Sequence, residues 1–100
     1  MNDTMTSMDQ LILTPKQRQA LKAQAHTLKP VVMVGQNGLT DAVLRETEVA
    51  LKAHELIKIR VLNDDREERI TFAEIFCQRL NAQLVAHSGK LIILWRKKEE

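Results

Sequence analysis

Residues 28–40 read Leu-Lys-Pro-Val-Val-Met-Val-Gly-Gln-Asn-Gly-Leu-Thr, the pattern of a turn, a short strand, a glycine-bracketed loop and a helix start. Pro30 disfavours helical geometry at the residue before it, so a preceding helix is expected to close there. Val31 to Val34 is a continuous run of β-favouring apolar residues, the pattern of a strand buried on both faces or at its centre. Gly35 and Gly38 open backbone angles closed to other residues and leave backbone N–H groups uncovered. Thr40 suits the N-cap of a following helix, and Asp41 suits its positive first turn. A strand, a Gly-x-x-Gly loop and a helix start in succession provide a place to seat a phosphate. The same order also serves as a plain strand-to-helix turn, so the surroundings have to decide.

Gly-x-x-Gly is the loop with which KH domains clamp a nucleic-acid backbone. The charge distribution bears on that use. Of 100 residues, none between Asp9 and Asp41 is acidic, while Lys16, Arg18, Lys22 and Lys29 are basic. None between Glu74 and Glu99 is acidic, while Arg79, Lys90, Arg96, Lys97 and Lys98 are basic. From Asp41 to Glu74 there are nine acids against six bases. The formal net charge of +2 hides this separation. A basic segment around a phosphate-ready loop is the footprint of a nucleic-acid binder. A merely solvated basic face would read the same way. With Phe72, Phe76 and Trp95 as the aromatic residues, a single-strand binder built on stacking platforms is disfavoured.

The length suits one domain. Residues 1–10 are polar with scattered methionines and read as a disordered leader, leaving 11–98 as the folded domain. Thr14-Pro15 opens a first helix whose Leu21, Ala25 and Leu28 are spaced to face a core. A second helix is expected from about Asp41 to Ala53, with Val43, Thr47, Ala50, Leu51 and His54 inward. In Leu56–Leu62 the alternation is strict: Ile57, Ile59 and Val61 share one face, Lys58 and Arg60 the other. Asn63-Asp64-Asp65 is a turn and cap before a third helix, Arg66 to Asn81, with Ile70, Ala73, Phe76, Cys77 and Leu80 inward. Strands at about Gln83–His87 and Leu91–Arg96 flank a tight Ser88-Gly89 connection. The order α-β-α-β-α-β-β, with right-handed crossovers, gives a two-layer α/β domain and a mixed four-stranded sheet.

Enzymatic chemistry finds little support. His26, His54 and His87 lie far from one another and from Cys77, without metal-ligand spacing. Asp64, Asp65, Glu67 and Glu68 cluster at a helix start, where carboxylates cap and complement the dipole. His87-Ser88 has no acid nearby to orient the imidazole. Cys77 falls on an apolar stripe and reads as a small core residue, and a single cysteine fits a reducing cytoplasm. No apolar run approaches the ~20 residues that span a bilayer. No metal and no cofactor is expected.

Several segments together resemble the chloroplast RNA splicing and ribosome maturation (CRM) domain family. They are Leu13-Thr14-Pro15-Lys16-Gln17-Arg18, Ala25-His26-Thr27-Leu28-Lys29-Pro30-Val31-Val32, Val34-Gly35-Gln36-Asn37-Gly38-Leu39-Thr40 and His54-Glu55-Leu56-Ile57-Lys58. The resemblance is dense from Leu13 to Val61 and thin afterwards. It implies the fold of the C-terminal domain of translation initiation factor three, with an additional N-terminal helix. It also implies RNA binding and association with precursors of the large ribosomal subunit. Gly35, Gln36, Asn37, Gly38 and Thr40 would then meet phosphates, with Lys16, Arg18, Lys22 and Lys29 supplying charge. Lys58 and Arg60 rank second, because the first helix could cover their face. The expected protein is a monomeric, non-enzymatic RNA binder that assists ribosome assembly. A protein-interaction module docking on a ribosomal or translation factor is the rival. It needs an exposed apolar patch, which the sequence does not announce.

Overall fold

The computed structural model describes residues 12–98. The leader expected over residues 1–10 lies outside the described residues. Helix α1 (Pro15–Ala25) begins with a capping box. The Thr14 hydroxyl accepts from the Gln17 amide at 3.1 Å, and the Gln17 side chain accepts from the Thr14 amide at 2.9 Å. The helix ends at Ala25, well before Pro30, so Leu28 falls outside it and is exposed rather than in the core.

Strand β1 (Val32–Val34) leads through residues 35–40 into helix α2 (Asp41–His54), capped by Thr40. Leu44, Thr47 and Leu51 form the buried stripe of α2, and the Thr47 hydroxyl donates to the Val43 carbonyl at 2.7 Å. His54, expected inward, is exposed in the last turn. Glu55 alone joins α2 to strand β2 (Leu56–Val61) and takes a φ of +62° to make the turn. Asp65 caps helix α3 (Arg66–Leu80), which closes on a left-handed Asn81. Strands β3 (Gln83–Ser88) and β4 (Leu91–Trp95) follow. Their hairpin turn is Gly89-Lys90, one residue later than expected, because Ser88 still pairs with Leu91. Gly89 supplies the positive φ, +55°.

The sheet order is β1-β2-β4-β3. β1 runs parallel to β2, while β4 is antiparallel to both β2 and β3. The first three strands therefore point the same way, and the last one slots between the second and third. Ile57, Ile59, Val61, Ile92 and Leu94 face α2 and α3, where Leu51, Ala73 and Phe76 complete the main core. Cys77 packs against this core, and burial pushes its thiol above the usual range. On the opposite face Val85 and Ile93 meet Leu13 and Ala25, with Leu56 and Trp95 alongside. Helix α1 thus adds a layer over the β3–β4 side of the sheet.

Arg96, expected to end the last strand, lies just beyond it and cross-links the domain. Its guanidinium grips both oxygens of Glu48 on α2, at 2.7 and 3.1 Å, and donates to the Leu80 carbonyl of α3 at 2.9 Å. The hydrogen bond from Arg96, aided by its charge and by that of Lys52, holds the Glu48 carboxyl below the ordinary 4.5 against the opposing effect of burial. A carboxyl more acidic in the folded state contributes stability above its unfolded value and loses it as pH falls through the folded one. Glu48→Gln is expected to lower the thermal midpoint at neutral pH. The gap to the native protein is expected to close below pH 4.5. A circular-dichroism melting series against pH checks this, and a gap independent of pH would show that the ionised carboxylate is not its source.

Candidate nucleic-acid interface

The glycine loop sits where β1 and β2 leave the sheet, beside the Leu62 amide that donates to the Val34 carbonyl at 2.9 Å. Within it the Gly38 amide donates to the Gly35 carbonyl at 3.1 Å, and the Thr40 amide to the Gly38 carbonyl at 3.0 Å. Gly35, Gln36 and Asn37 are exposed. The amides of Gln36 and Asn37 donate to no described residue. The first helical amide with a side-chain acceptor is that of Val43, bonded to the Thr40 hydroxyl at 3.2 Å. A helix start leaves its earliest donors unpaired, and its dipole favours an anion there. The loop therefore presents unpaired donors in the segment that leads into α2. Thr40 also serves as the cap.

The two glycines differ. Gly38 holds a φ of +71°, and an added Cβ would lie 3.7 Å from the Phe72 ring. Its backbone needs glycine. Gly35 has no left-handed angle, and an added Cβ would meet nothing within 4 Å. Nothing inside the molecule requires glycine there.

The basic residues are dispersed. Lys16 and Lys22 are exposed on α1, across the sheet towards β3, and Lys29 is exposed just before β1. Arg18 is half-buried and donates through Nε to the Leu84 carbonyl at 3.1 Å, where β3 shifts register. That bond ties α1 to the sheet edge, a role the charge pattern gave no sign of. Lys58 is only 8% exposed, covered on the α1 face. Arg60 is exposed on that same face, in register with Met33 of β1. α1 does not reach this part of the sheet, so Met33 and Val31 stand 55% and 48% exposed. The run Val31–Val34 is accordingly an edge strand buried on one face, not on both. With exposed Leu28, these residues form the apolar surface that the sequence did not announce.

The acids that follow β2 are engaged locally. Asp64 pairs with Lys90 at 2.6 Å, and the hydrogen bond from Lys90 lowers its pKa. The Asp65 side chain accepts from the Glu67 amide at 2.9 Å. His87 Nε2 accepts from Arg69 Nε at 3.3 Å. Among the described residues no group of His, Cys, Asp and Glu is placed to hold a metal. No described helix is long and apolar enough to cross a membrane.

The comparison with known families rests on nearly the whole of this architecture. The CRS1/YhbY (CRM) domain matches residues 13–96, from the start of the capping box to the Arg96 cross-link. The chain belongs to that family. A Haemophilus influenzae relative, named RNA-binding protein, is 46% identical over 88 residues, covering 88% of this chain and 89% of its own. The Bacillus subtilis relative YqeI, also named for RNA binding, is 36% identical over 89 residues, covering 89% of this chain and 93% of its own. The solution structure of a Staphylococcus aureus protein superposes with a TM-score of 0.80 at 28% identity, over 89% of this chain and 93% of that one. The CRM fold therefore holds the loop, the α2 start and the open β1–β2 surface together along one edge.

The contrast between the glycines can be measured. Gly35→Ala is expected to leave unfolding free energy within about 0.5 kcal/mol of the native protein. Gly38→Ala is expected to lower it by about 1–2 kcal/mol, the cost of a left-handed angle. Urea unfolding midpoints decide the matter, and equal losses at the two positions would refute the distinction.

Proposed function

We propose that this CRM protein is a non-enzymatic RNA binder that assists assembly of the large ribosomal subunit in the bacterial cytoplasm, acting as a monomer. The observation that carries the reading is the exposed loop. Gln36 and Asn37 offer unpaired amides in the loop that leads into α2, and Gly35 keeps open a position that no internal contact requires. Backbone amides of this kind recognise phosphate oxygens and carry no sequence information themselves. RNA is the favoured partner because the two relatives above are named for binding it. The ribosomal target follows from the family resemblance noted in the sequence.

In this mechanism the loop amides take phosphates, and Lys16, Lys22 and Lys29 supply longer-range attraction. Arg18 contributes through its remaining guanidinium donors while Nε holds α1 in place. A second reading draws on exposed Leu28, Val31 and Met33, which suit docking on a ribosomal or translation factor.

Two measurements separate the readings. Gly35→Asp places a carboxylate where phosphate would approach, without strain. It is expected to weaken binding to large-subunit ribosomal RNA at least tenfold, about 1.4 kcal/mol, with an unchanged unfolding midpoint. About three or four phosphate contacts would give a log–log salt slope near −2 to −4. Replacing Lys16, Lys22 and Lys29 together by glutamate is expected to flatten that slope and release the protein from large-subunit precursors in a gradient. Normal binding by folded Gly35→Asp would remove the loop from the mechanism. Association indifferent to salt and to the triple reversal would favour the docking reading.

A further inference from the structure

A cleft of about 420 Å³ opens beneath the C-terminal end of α1, at the start of β1. Its walls include Leu28, Val31, Leu56 and Ile57, and Lys58 lines it from β2. Lys58 is 8% exposed, yet its ammonium makes no hydrogen bond or ion pair with any described residue. No buried side-chain nitrogen or oxygen among the described residues is cut off without a partner, so the Lys58 ammonium keeps its access to the cleft. The ammonium opens on apolar walls with no acceptor in place, so its donors are available to an arriving acceptor.

We propose that this cleft takes one unstacked RNA base with a carbonyl at pyrimidine C4 or purine C6, uracil or guanine, with Lys58 donating to that carbonyl. The proposal rests on the RNA-binding reading and adds base selection to it. Lysine has three donors and no acceptor, so it selects acceptor edges. Guanine presents O6 and N7, and uracil presents O4 as thymine does. Cytosine turns an amino group to the corresponding position, donor against donor. The apolar walls suit a flat ring better than a bare phosphate, whose desolvation they would not repay. Gln24, Lys29 and His54 also line the cleft, and no acid does, which leaves Lys29 available to the phosphate of the same nucleotide.

Position supports the assignment. Val31 begins the edge strand that ends at Gly35, a span of roughly 13 Å at the rise of an extended chain. Exposed Met33 and Arg60 lie between, on the same face as Lys58. An RNA strand held by the loop and following β1 would pass them and reach the cleft.

Fluorescence anisotropy with labelled oligouridylate and oligocytidylate of equal length tests the proposal. The native protein is expected to prefer oligouridylate about tenfold, in line with the discrimination of one good base-edge contact. Lys58→Met keeps an unbranched stem of similar size. It is expected to abolish the preference by lowering oligouridylate affinity to that for oligocytidylate, with folding verified by circular dichroism. Equal binding of the two oligomers by the native protein overturns the proposal whether or not the variant folds. A preference that survives Lys58→Met overturns it too. An equal loss for both oligomers would make Lys58 a backbone contact and overturn base selection alone. Failure of base selection leaves oligocytidylate binding, and its sensitivity to Gly35→Asp, in place. Failure of the RNA-binding reading removes binding to both oligomers and to ribosomal RNA.

Discussion

Strand β4 is buried on both sides, and the rest of the domain is arranged to keep it so. Ile92 and Leu94 project into the main core, while the intervening Ile93 projects into the second cluster with Leu13, Ala25 and Val85. A central strand of this kind needs a helix on each face. α2 and α3 supply one cover, and α1 supplies the other. Because α1 must lie over Ile93 and Val85, it cannot also lie over Met33 and Arg60. The open β1–β2 surface is thus a consequence of where the single helix on that face is required.

The order of elements was legible because each boundary has a local chemical cause. Thr14, Thr40 and Asp65 are caps with few alternative roles in their contexts, and all three accept from amides of their own first turns. The strict alternation of Leu56–Leu62 placed Ile57, Ile59 and Val61 on the core side correctly. What failed depended on neighbours distant in sequence. Val31 and Met33 looked like buried residues because nothing local says that β1 is an edge. Leu28 and His54 followed helical spacing into positions where the helix had ended or its last turn had cleared the core. Arg69, buried with its guanidinium on the Asn63 carbonyl at 2.7 Å, could not be told from a solvated arginine.

The loop was similarly legible, since glycine at Gly38 and a cap at Thr40 act within a few residues. The fate of the basic side chains was not. Lys16, Arg18, Lys22 and Lys29 form one group in sequence, but only their relation to β3 and β1 distinguishes them. Arg18 is drawn to a carbonyl freed by a register shift in β3, while Lys29 stands free at the start of β1. Lys58 and Arg60 alternate identically in sequence and differ entirely in exposure, because the end of α1 covers one and not the other.

The strand that occupies the middle of the sheet next to β2 is also the last of the four to be synthesised. Until Trp95 has left the ribosomal exit tunnel, β2 pairs with β1 alone and β3 has no neighbour. Pairings this far apart in sequence form late, since loop closure precedes any reward from contact. The nascent chain can therefore build the loop and the start of α2, but not the rigid sheet that sets their angle to Lys58 and Arg60. The platform behind the loop is therefore complete only once β4 has paired between β2 and β3.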